Sequence, residues 1–461
     1  ADAMELTMIA FLAGEIKCPW GLSNGDMTLL QTLVLLAMGV GSNLVGWISD
    51  RLGRRPATAV SITAATLGGV VAAFSPSFAF LVACRVVVGF GVGAAPAALT
   101  LYTDFLPTLP QKNAQAEEQR GRKLILFFAF FSVGAVLESL VAWATLSMPA
   151  VGWRGLLVVS AVPSVLLALA LPWVPESPRW LLDRGEDPRD VERARAIMNR
   201  IERINDCGAQ RQHQLPHQRL HQEDSPNEDE ETGKDLVMNL KNHTSGAMFE
   251  SAHERNVFAT LSLLFFLMAS LYYSIVLVGA SVLDHHHRVN SNTTSQHCVG
   301  PHNRTAPPHT TGEFASLVVT NSAEVPGLLV AYLLLDRIGR KRTIQVFFLA
   351  CGAFCAVLWY VASRPTSSDL MWVTILVFGA RGSALGFNQS LWIYTSLSDA
   401  FRVGNRTRVL GFTTSMARVG SLLAPALVTY LFAGAIGSVA AVCVAISGVS
   451  LLVVTALLPK H

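Results

Sequence analysis

Of 461 residues, 51% are hydrophobic and only 15% are charged, with a mean hydropathy of +0.42. Soluble chains carry about 25% charged residues, so this chain lacks the polar surface to dissolve alone. A net charge of +3 is too weak to organise nucleic-acid binding, and seven cysteines without a CxxC pair or metal-ligand spacing leave no cysteine-based metal site.

A bilayer core about 30 Å thick takes roughly 20 residues of apolar helix. Such runs fall at approximately 1–14, 27–49, 57–75, 78–103, 124–145, 155–174, 256–283, 314–335, 343–363, 370–396, 409–433 and 435–458, twelve predicted spans. At 1.5 Å per residue the first run rises about 21 Å and lacks roughly six residues. With no initiating Met and no basic n-region, the N-terminus reads as trimmed and not as a signal peptide. The expected class is an all-α membrane protein of twelve transmembrane helices in two six-helix halves. The division is 1–180, a linker at 181–255, and 256–461.

Lys and Arg crowd into one set of short loops. It holds Arg51, Arg54, Arg55, Lys112, Arg120, Arg122, Lys123, Arg337, Arg340, Lys341, Arg342, Arg402, Arg406 and Arg408. The opposite set holds Lys17, Arg154, Arg288, Arg304 and Arg364. The positive-inside rule then places the first set and both termini in the cytoplasm. In the linker, Asp187 caps and Pro188 opens a helix, with Val191, Ala194, Ile197, Met198 and Ile201 at helical spacing. This predicts an amphipathic helix against the bundle, and the polar stretch from Asp206 to about Ser245 predicts disorder. The outer loop Asp284 to Glu313 carries predicted glycosylation sites at Asn292 and Asn303, and its His285-His286-His287 run reads as solvated.

One charged turn occurs twice. "DRLGRRP" begins at Asp50 and "DRIGRKR" at Asp336, each closing the second span of its half. An acid at such a turn can meet the N-terminal end of a helix, and its arginines can reach carboxylates or lipid phosphates. Two copies in register argue for a gate more than for anchoring. Its residues are Asp50, Arg51, Gly53, Arg54 and Arg55, with Asp336, Arg337, Gly339 and Arg340.

These turns, "GWISDRLGRRPA" and "LLLDRIGRKRT", resemble the paired loop signature of the major facilitator superfamily. "RVVVGFGVG" in the fourth span resembles its arginine–glycine motif, and "PESPRW" is similar to the sugar-porter ending of the sixth span. "DAMEL", "AEVPGLL" and "SMARVG" resemble the SVOP-like (synaptic-vesicle-two-related) and organic-ion transporter branch. The resemblance implies the two-half fold with pseudo-two-fold symmetry. It also adds Glu176 and Arg179 of "PESPRW" to the gate and links Arg85 to proton coupling. One departure stands out: after Tyr394-Thr395 the branch continues with Pro-Glu, whereas this chain reads "SLSDAFRVGNR" and carries its acid at Asp399.

Charges within spans cost about 2.5–3.5 kcal/mol each near the bilayer centre, so each needs a reason. Asp2 and Glu5 share one helix face and serve either as proton or cation carriers or as structural acids paired with arginines. Arg85 is their natural partner, and Gly89, Gly91 and Gly93 beside it are predicted to pack helices. Glu138, Glu324, Arg381 and Arg418 are the other span charges, with Glu324 and Arg381 a candidate pair and Pro326 a candidate helix irregularity. Tyr272, Tyr273, Asn388, Gln389, Trp392 and Tyr394 offer a polar, ring-bearing wall, although each ring alone reads first as an interface-belt residue.

Together these residues predict a secondary transporter of a small organic ion, working by alternating access with protons as coupling ion. The expected path holds Asp2, Glu5, Arg85, Glu138, Glu324, Arg381, Asn388, Gln389 and Trp392. An organic anion such as an aromatic or pyridine carboxylate, with Arg85 or Arg381 as counter-ion, is favoured over an organic cation or a sugar. A non-transporting membrane receptor on the same scaffold is the alternative. No catalytic group, cofactor or nucleic-acid partner is expected. The protein is expected as a monomer in a plasma or vesicle membrane.

Overall fold

The computed structural model describes residues 2–17, 19–106, 114–148, 151–184, 188–212, 251–291, 318–319, 321–362, 370–398, 401, 403–432 and 436–459. Among them there is helix and no strand. The first half holds α1 Asp2–Lys17, α2 Asn24–Leu52, α3 Arg54–Ala72, α4 Phe78–Gly93, α5 Ala95–Asp104, α6 Ala114–Leu146 and α7 Gly152–Ala170. The connecting segment holds α8 Pro178–Arg184 and α9 Pro188–Gln212, and then follow α10 Ala252–Ser291, α11 Glu324–Ile338, α12 Arg340–Ala362, α13 Leu370–Ser396, α14 Val403–Phe432 and α15 Ile436–Leu457. Seven described stretches are long and apolar enough to cross a bilayer. The remaining predicted spans overlap α1, α3, α11, α13 and α14, the eighth of them from Glu324 onward.

The helices invert the soluble pattern: Phe74, Phe130, Leu349 and Leu452 are exposed, while Glu5, Arg85, Glu138 and Glu324 are buried. Lipid takes the apolar outer face, and helix formation lets backbone groups inside the bilayer find partners along the chain. One apolar cluster joins Met8, Leu12, Val34, Met38 and Leu81 in the first half, and another joins Leu261, Phe265, Phe348 and Phe387 in the second. A third draws on both, with Leu99, Leu124 and Phe128 against Leu328, Leu385 and Ile393.

Small residues set how close the helices come. A Cβ on Gly93 would lie 2.1 Å from the Met38 carbonyl of α2, and one on Gly89 2.7 Å from the Val34 carbonyl. Gly91 faces the other way, where a Cβ would lie 2.6 Å from the Ala65 nitrogen of α3. The three glycines of "RVVVGFGVG" thus let α4 wedge between α2 and α3, the approach that small residues allow between membrane helices.

The repeated turn is visible in the backbone. A single residue joins α2 to α3 and α11 to α12, and each is a glycine with positive φ, +114° at Gly53 and +81° at Gly339. Only glycine enters this region without strain. At Gly53 a Cβ would also lie 2.4 Å from Glu176 Oε2.

Several expectations need correction. The fourth span is two helices, because Pro96 supplies no N–H and the chain breaks at Ala94 before restarting as α5. The irregularity expected at Pro326 lies instead at Ala323, which precedes α11; Pro326 sits in its first turn, where no N–H is needed. Helix α9 runs on to Gln212, into the stretch expected to be disordered, and α10 runs to Ser291, past the start of the expected outer loop. Asn292 and Asn303 lie outside the described residues. Tyr394 is no belt residue: it is 1% exposed and its hydroxyl donates to the Pro459 carbonyl at 3.1 Å.

Candidate functional site

The charged-turn end of the bundle carries a dense polar cluster. Arg54, 1% exposed, reaches Asp50 Oδ1 at 2.5 Å and Asp104 Oδ2 at 3.6 Å. Ser177 donates to Asp104 at 2.8 Å, and the Trp180 indole N–H donates to the Asp50 carbonyl at 3.1 Å. Glu176 accepts from the backbone N–H groups of Arg54 and Arg55 at 2.9 and 3.1 Å, so a carboxylate sits at the N-terminus of α3. Arg179 donates to the Leu106 carbonyl; burial pulls its pKa below the ordinary arginine value, and the Asp104 charge opposes that shift.

One carboxylate of this cluster crosses to the other half. Asp50 Oδ2 accepts from the Arg408 backbone N–H near the start of α14 at 3.0 Å and faces the Arg408 guanidinium at 3.8 Å. Beside it Thr407 and Thr100 hydroxyls meet at 3.1 Å, and further along Ser42 and Ser415 meet at 2.7 Å. Glycines again allow the approach: a Cβ on Gly411 would lie 2.4 Å from the Ser42 carbonyl. Not every expected gate side chain joins. Arg51 stacks over the Trp47 ring at 4.3 Å, Arg55 donates to the Pro172 carbonyl at 3.2 Å, and Arg337 is exposed. Arg340 is half-buried, and the Asp336 side chain lies outside the described residues. Asp104, Ser177, Trp180 and Arg408 were absent from the expected gate, although each lies in or beside a polar loop of the sequence.

Deeper in the first half, Glu5 on α1 and Arg85 on α4 form a buried ion pair at 2.7 Å. Gly69 on α3 makes room, since a Cβ there would lie 3.3 Å from Glu5 Oε1. Glu138 on α6 is fully buried nearby, and the Ser160 hydroxyl of α7 lies 2.6 Å from its Oε1. The Asp2 side chain, expected to share the site, lies outside the described residues.

The second half carries a counterpart. Arg381 Nη2 reaches Glu324 Oε1 at 3.2 Å, and the Tyr272 hydroxyl donates to the same oxygen at 2.7 Å. Close backbone approach places the pair: a Cβ on Gly327 of α11 would lie 2.1 Å from the Gly382 carbonyl of α13. The break at Ala323 leaves Glu324 in the first turn of α11, where a negative charge is favoured. Arg381 also donates to Asn321 Oδ1, while Asn321 Nδ2 donates to Ser139 Oγ on α6, so this network reaches the first half.

Arg418 on α14 differs from Arg85 and Arg381. It lies one turn beyond Ser415 and beside Gly39 of α2, and its guanidinium donates to the Tyr273 hydroxyl at 2.9 Å. Among the described residues no carboxylate forms an ion pair with it, and its buried Nε has no partner. Rings surround this boundary: Tyr273 meets Tyr272 edge-on at 5.3 Å, and Trp392 lies between Phe128 at 6.2 Å and Phe265 at 5.6 Å. Asn388 Oδ1 and Gln389 Oε1 on α13 are buried polar atoms without partners.

A frame of membrane-spanning helices, a doubled charged turn and a buried ion pair within each half describe a polytopic membrane protein, and the comparisons specify its class. Residues 11–460 match the sugar (and other) transporter family. The chain is 30% identical over 426 residues to the synaptic vesicle 2-related protein of Xenopus laevis, covering 92% of this chain and 70% of that protein. It is 29% identical over 455 residues to organic cation/carnitine transporter 7 of Arabidopsis thaliana, covering 92% and 82%. Its fold superposes on a major facilitator superfamily proton:xylose symporter with a TM-score of 0.67 at 17% identity, over 99% of this chain and 95% of that one. The chain belongs to the sugar (and other) transporter family of the major facilitator superfamily, and it is an integral multi-pass membrane protein with that superfamily's fold.

Proposed function

We propose that the protein is a proton-coupled secondary transporter of a small organic anion, an aromatic or pyridine carboxylate, working by alternating access. The observation that carries the reading is Arg418. A guanidinium within a span is costly unless paired, and the arginines first expected to bind the anion, Arg85 and Arg381, each hold a carboxylate of the protein. Among the described residues Arg418 is the span cation left for a ligand, and a planar guanidinium suits a carboxylate in two-point contact. Tyr272, Tyr273 and Trp392 supply ring faces beside it.

In this reading residues 1–180 and 256–461 are the two rocking bodies and 181–255 is their link. The Asp50–Arg408 contact is a cytoplasmic latch that holds when that side is shut. The Glu5–Arg85 pair with Glu138 handles the proton. Both termini are cytoplasmic, the protein acts as a monomer in a vesicle or plasma membrane, and Asn292 and Asn303 carry glycans. An organic cation is the second reading, favoured by the name of the Arabidopsis relative. A cation at Glu5 would have to displace Arg85.

Thermal unfolding of the purified protein separates the readings. Benzoate and nicotinate are expected to raise the midpoint, with tetraethylammonium and xylose leaving it in place. Stabilisation by tetraethylammonium alone would reverse the assignment, and stabilisation by none of the four would favour a receptor without transport.

A further inference from the structure

Cys351 and Cys355 stand one turn apart on α12, Cys443 stands on α15, and all three are buried free thiols. Small side chains bring the two helices together. A Cβ on Gly352 would lie 3.1 Å from Ser447 Oγ, and the Ser447 hydroxyl donates to the Phe348 carbonyl of α12. One turn along each helix, the Cys355 and Cys443 thiols hydrogen-bond with each other, and Cys355 also bonds with Cys351. The spacing of cysteines along the chain shows no ligand pattern because the cluster is assembled from separate helices.

Buried cysteine commonly fills space as a small hydrophobe, but these thiols also border a cavity. Cys355 and Cys443 line it, and its other walls are hydrocarbon, among them Ile275 of α10, Leu358 of α12 and Val377 of α13. No side-chain oxygen or nitrogen lines it, so it offers nothing to the hard cations that take oxygen ligands. Among the described residues no group of three His, Cys, Asp or Glu side chains is placed to hold an ion, whereas structural zinc takes four ligands. Two touching thiols suit a different class, the soft d10 ions that accept two sulfur ligands in line.

Charge decides within that class. A thiol gives up its proton when it binds a metal, so two thiolates bring a charge of −2. A divalent ion cancels it. Cu(I) or Ag(I) would leave −1 among hydrocarbon walls, and an unpaired buried charge is costly.

We propose that Cys355 and Cys443 form a binding site for a soft divalent d10 cation, of which Hg(II) is the type, and that the bound ion bridges α12 to α15. As the neutral dichloride, mercury enters the bilayer without carrying net charge. Each thiol S–H bond breaks, each sulfur bonds to mercury, and two chlorides and two protons leave to solvent. The site is neutral before and after. Cys351 does not line the cavity and is not a ligand. Both ligands belong to the second half and neither touches Arg418, so the site stands apart from the transport reading above.

The test uses the full chain in lipid nanodiscs with Cys18, Cys84, Cys207 and Cys298 replaced by Ala, which leaves the cluster as its only thiols. One equivalent of mercuric chloride is expected to bind each chain and release two protons, with two sulfur neighbours counted by X-ray absorption. Glutathione is then added as competitor. Cys355→Ala and Cys443→Ala each lose the second, intramolecular ligand, so glutathione should strip their mercury at roughly 100- to 10,000-fold lower concentration. Cys351→Ala should hold mercury as before. Thermal scans confirm folding, and Cys355→Ser and Cys443→Ser serve where an alanine variant unfolds. A single sulfur neighbour, or mercury held as firmly without Cys443 as with it, overturns the assignment. So does a loss in Cys351→Ala equal to that in Cys443→Ala. Failure of benzoate to bind would leave these results unchanged.

Discussion

Arg418→Leu is expected to abolish carboxylate binding while leaving the empty protein at least as stable as the wild type. Truncating one partner of a buried, hydrogen-bonded charge pair costs about 2–5 kcal/mol, or roughly 30-fold to several-thousand-fold in Kd. Without ligand the sign reverses. The described structure gives Arg418 no carboxylate partner, and placing a guanidinium within a span costs about 2.5–3.5 kcal/mol near the centre. Leucine removes that cost. Arg418→Lys keeps the charge but loses the planar fork, so it should bind with intermediate strength. Calorimetric titration with benzoate and a thermal scan of the empty protein measure both effects. An Arg418→Leu variant that binds benzoate as well as the wild type would remove Arg418 from the site.

Arg381→Leu is expected to behave in the opposite way, as a loss of stability. It leaves Glu324, 1% exposed, with the Tyr272 hydroxyl as its remaining hydrogen-bond partner among the described residues, and it takes the donor from Asn321 Oδ1. Removing one member of a buried ion pair costs about 3–5 kcal/mol, whereas replacing both members by apolar groups is often neutral. The double variant Glu324→Leu/Arg381→Leu should therefore unfold at a higher temperature than Arg381→Leu alone. If the single variant is as stable as the double one, the pair is not what holds α11 against α13 at this point.

These contrasting expectations show where a sequence stops informing. Twelve spans follow from apolar length, since hydropathy is summed along the chain and needs no partner. The doubled turn was equally readable, because Gly53 and Gly339 are needed locally for a positive φ whatever packs around them. Gly89, Gly91 and Gly93 could be read as a packing motif, but that Gly91 faces α3 while its neighbours face α2 depends on how α4 is rotated. The break at Ala94 had a local signal in Pro96 that span length concealed.

Partnerships were harder. Arg418 was plainly a charge within a span, but the absence of a carboxylate beside it is a property of three-dimensional placement. The same holds for Asp104, which ends α5 and meets Arg54 from a helix that the fourth span alone did not predict. Tyr394 misled in the other direction: an aromatic residue near a span end usually sits at the lipid interface, but here the carbonyl of Pro459 draws it inward.

The central claim is that two halves exchange access to a proton-linked anion site. Uptake of labelled benzoate into proteoliposomes, with and without an imposed pH gradient, tests it most directly. Accumulation that follows the gradient, collapses with a proton ionophore and is lost in Arg418→Leu is the predicted result. Folded protein that accumulates tetraethylammonium in its place, or accumulates none of the candidate solutes under any gradient, would contradict it.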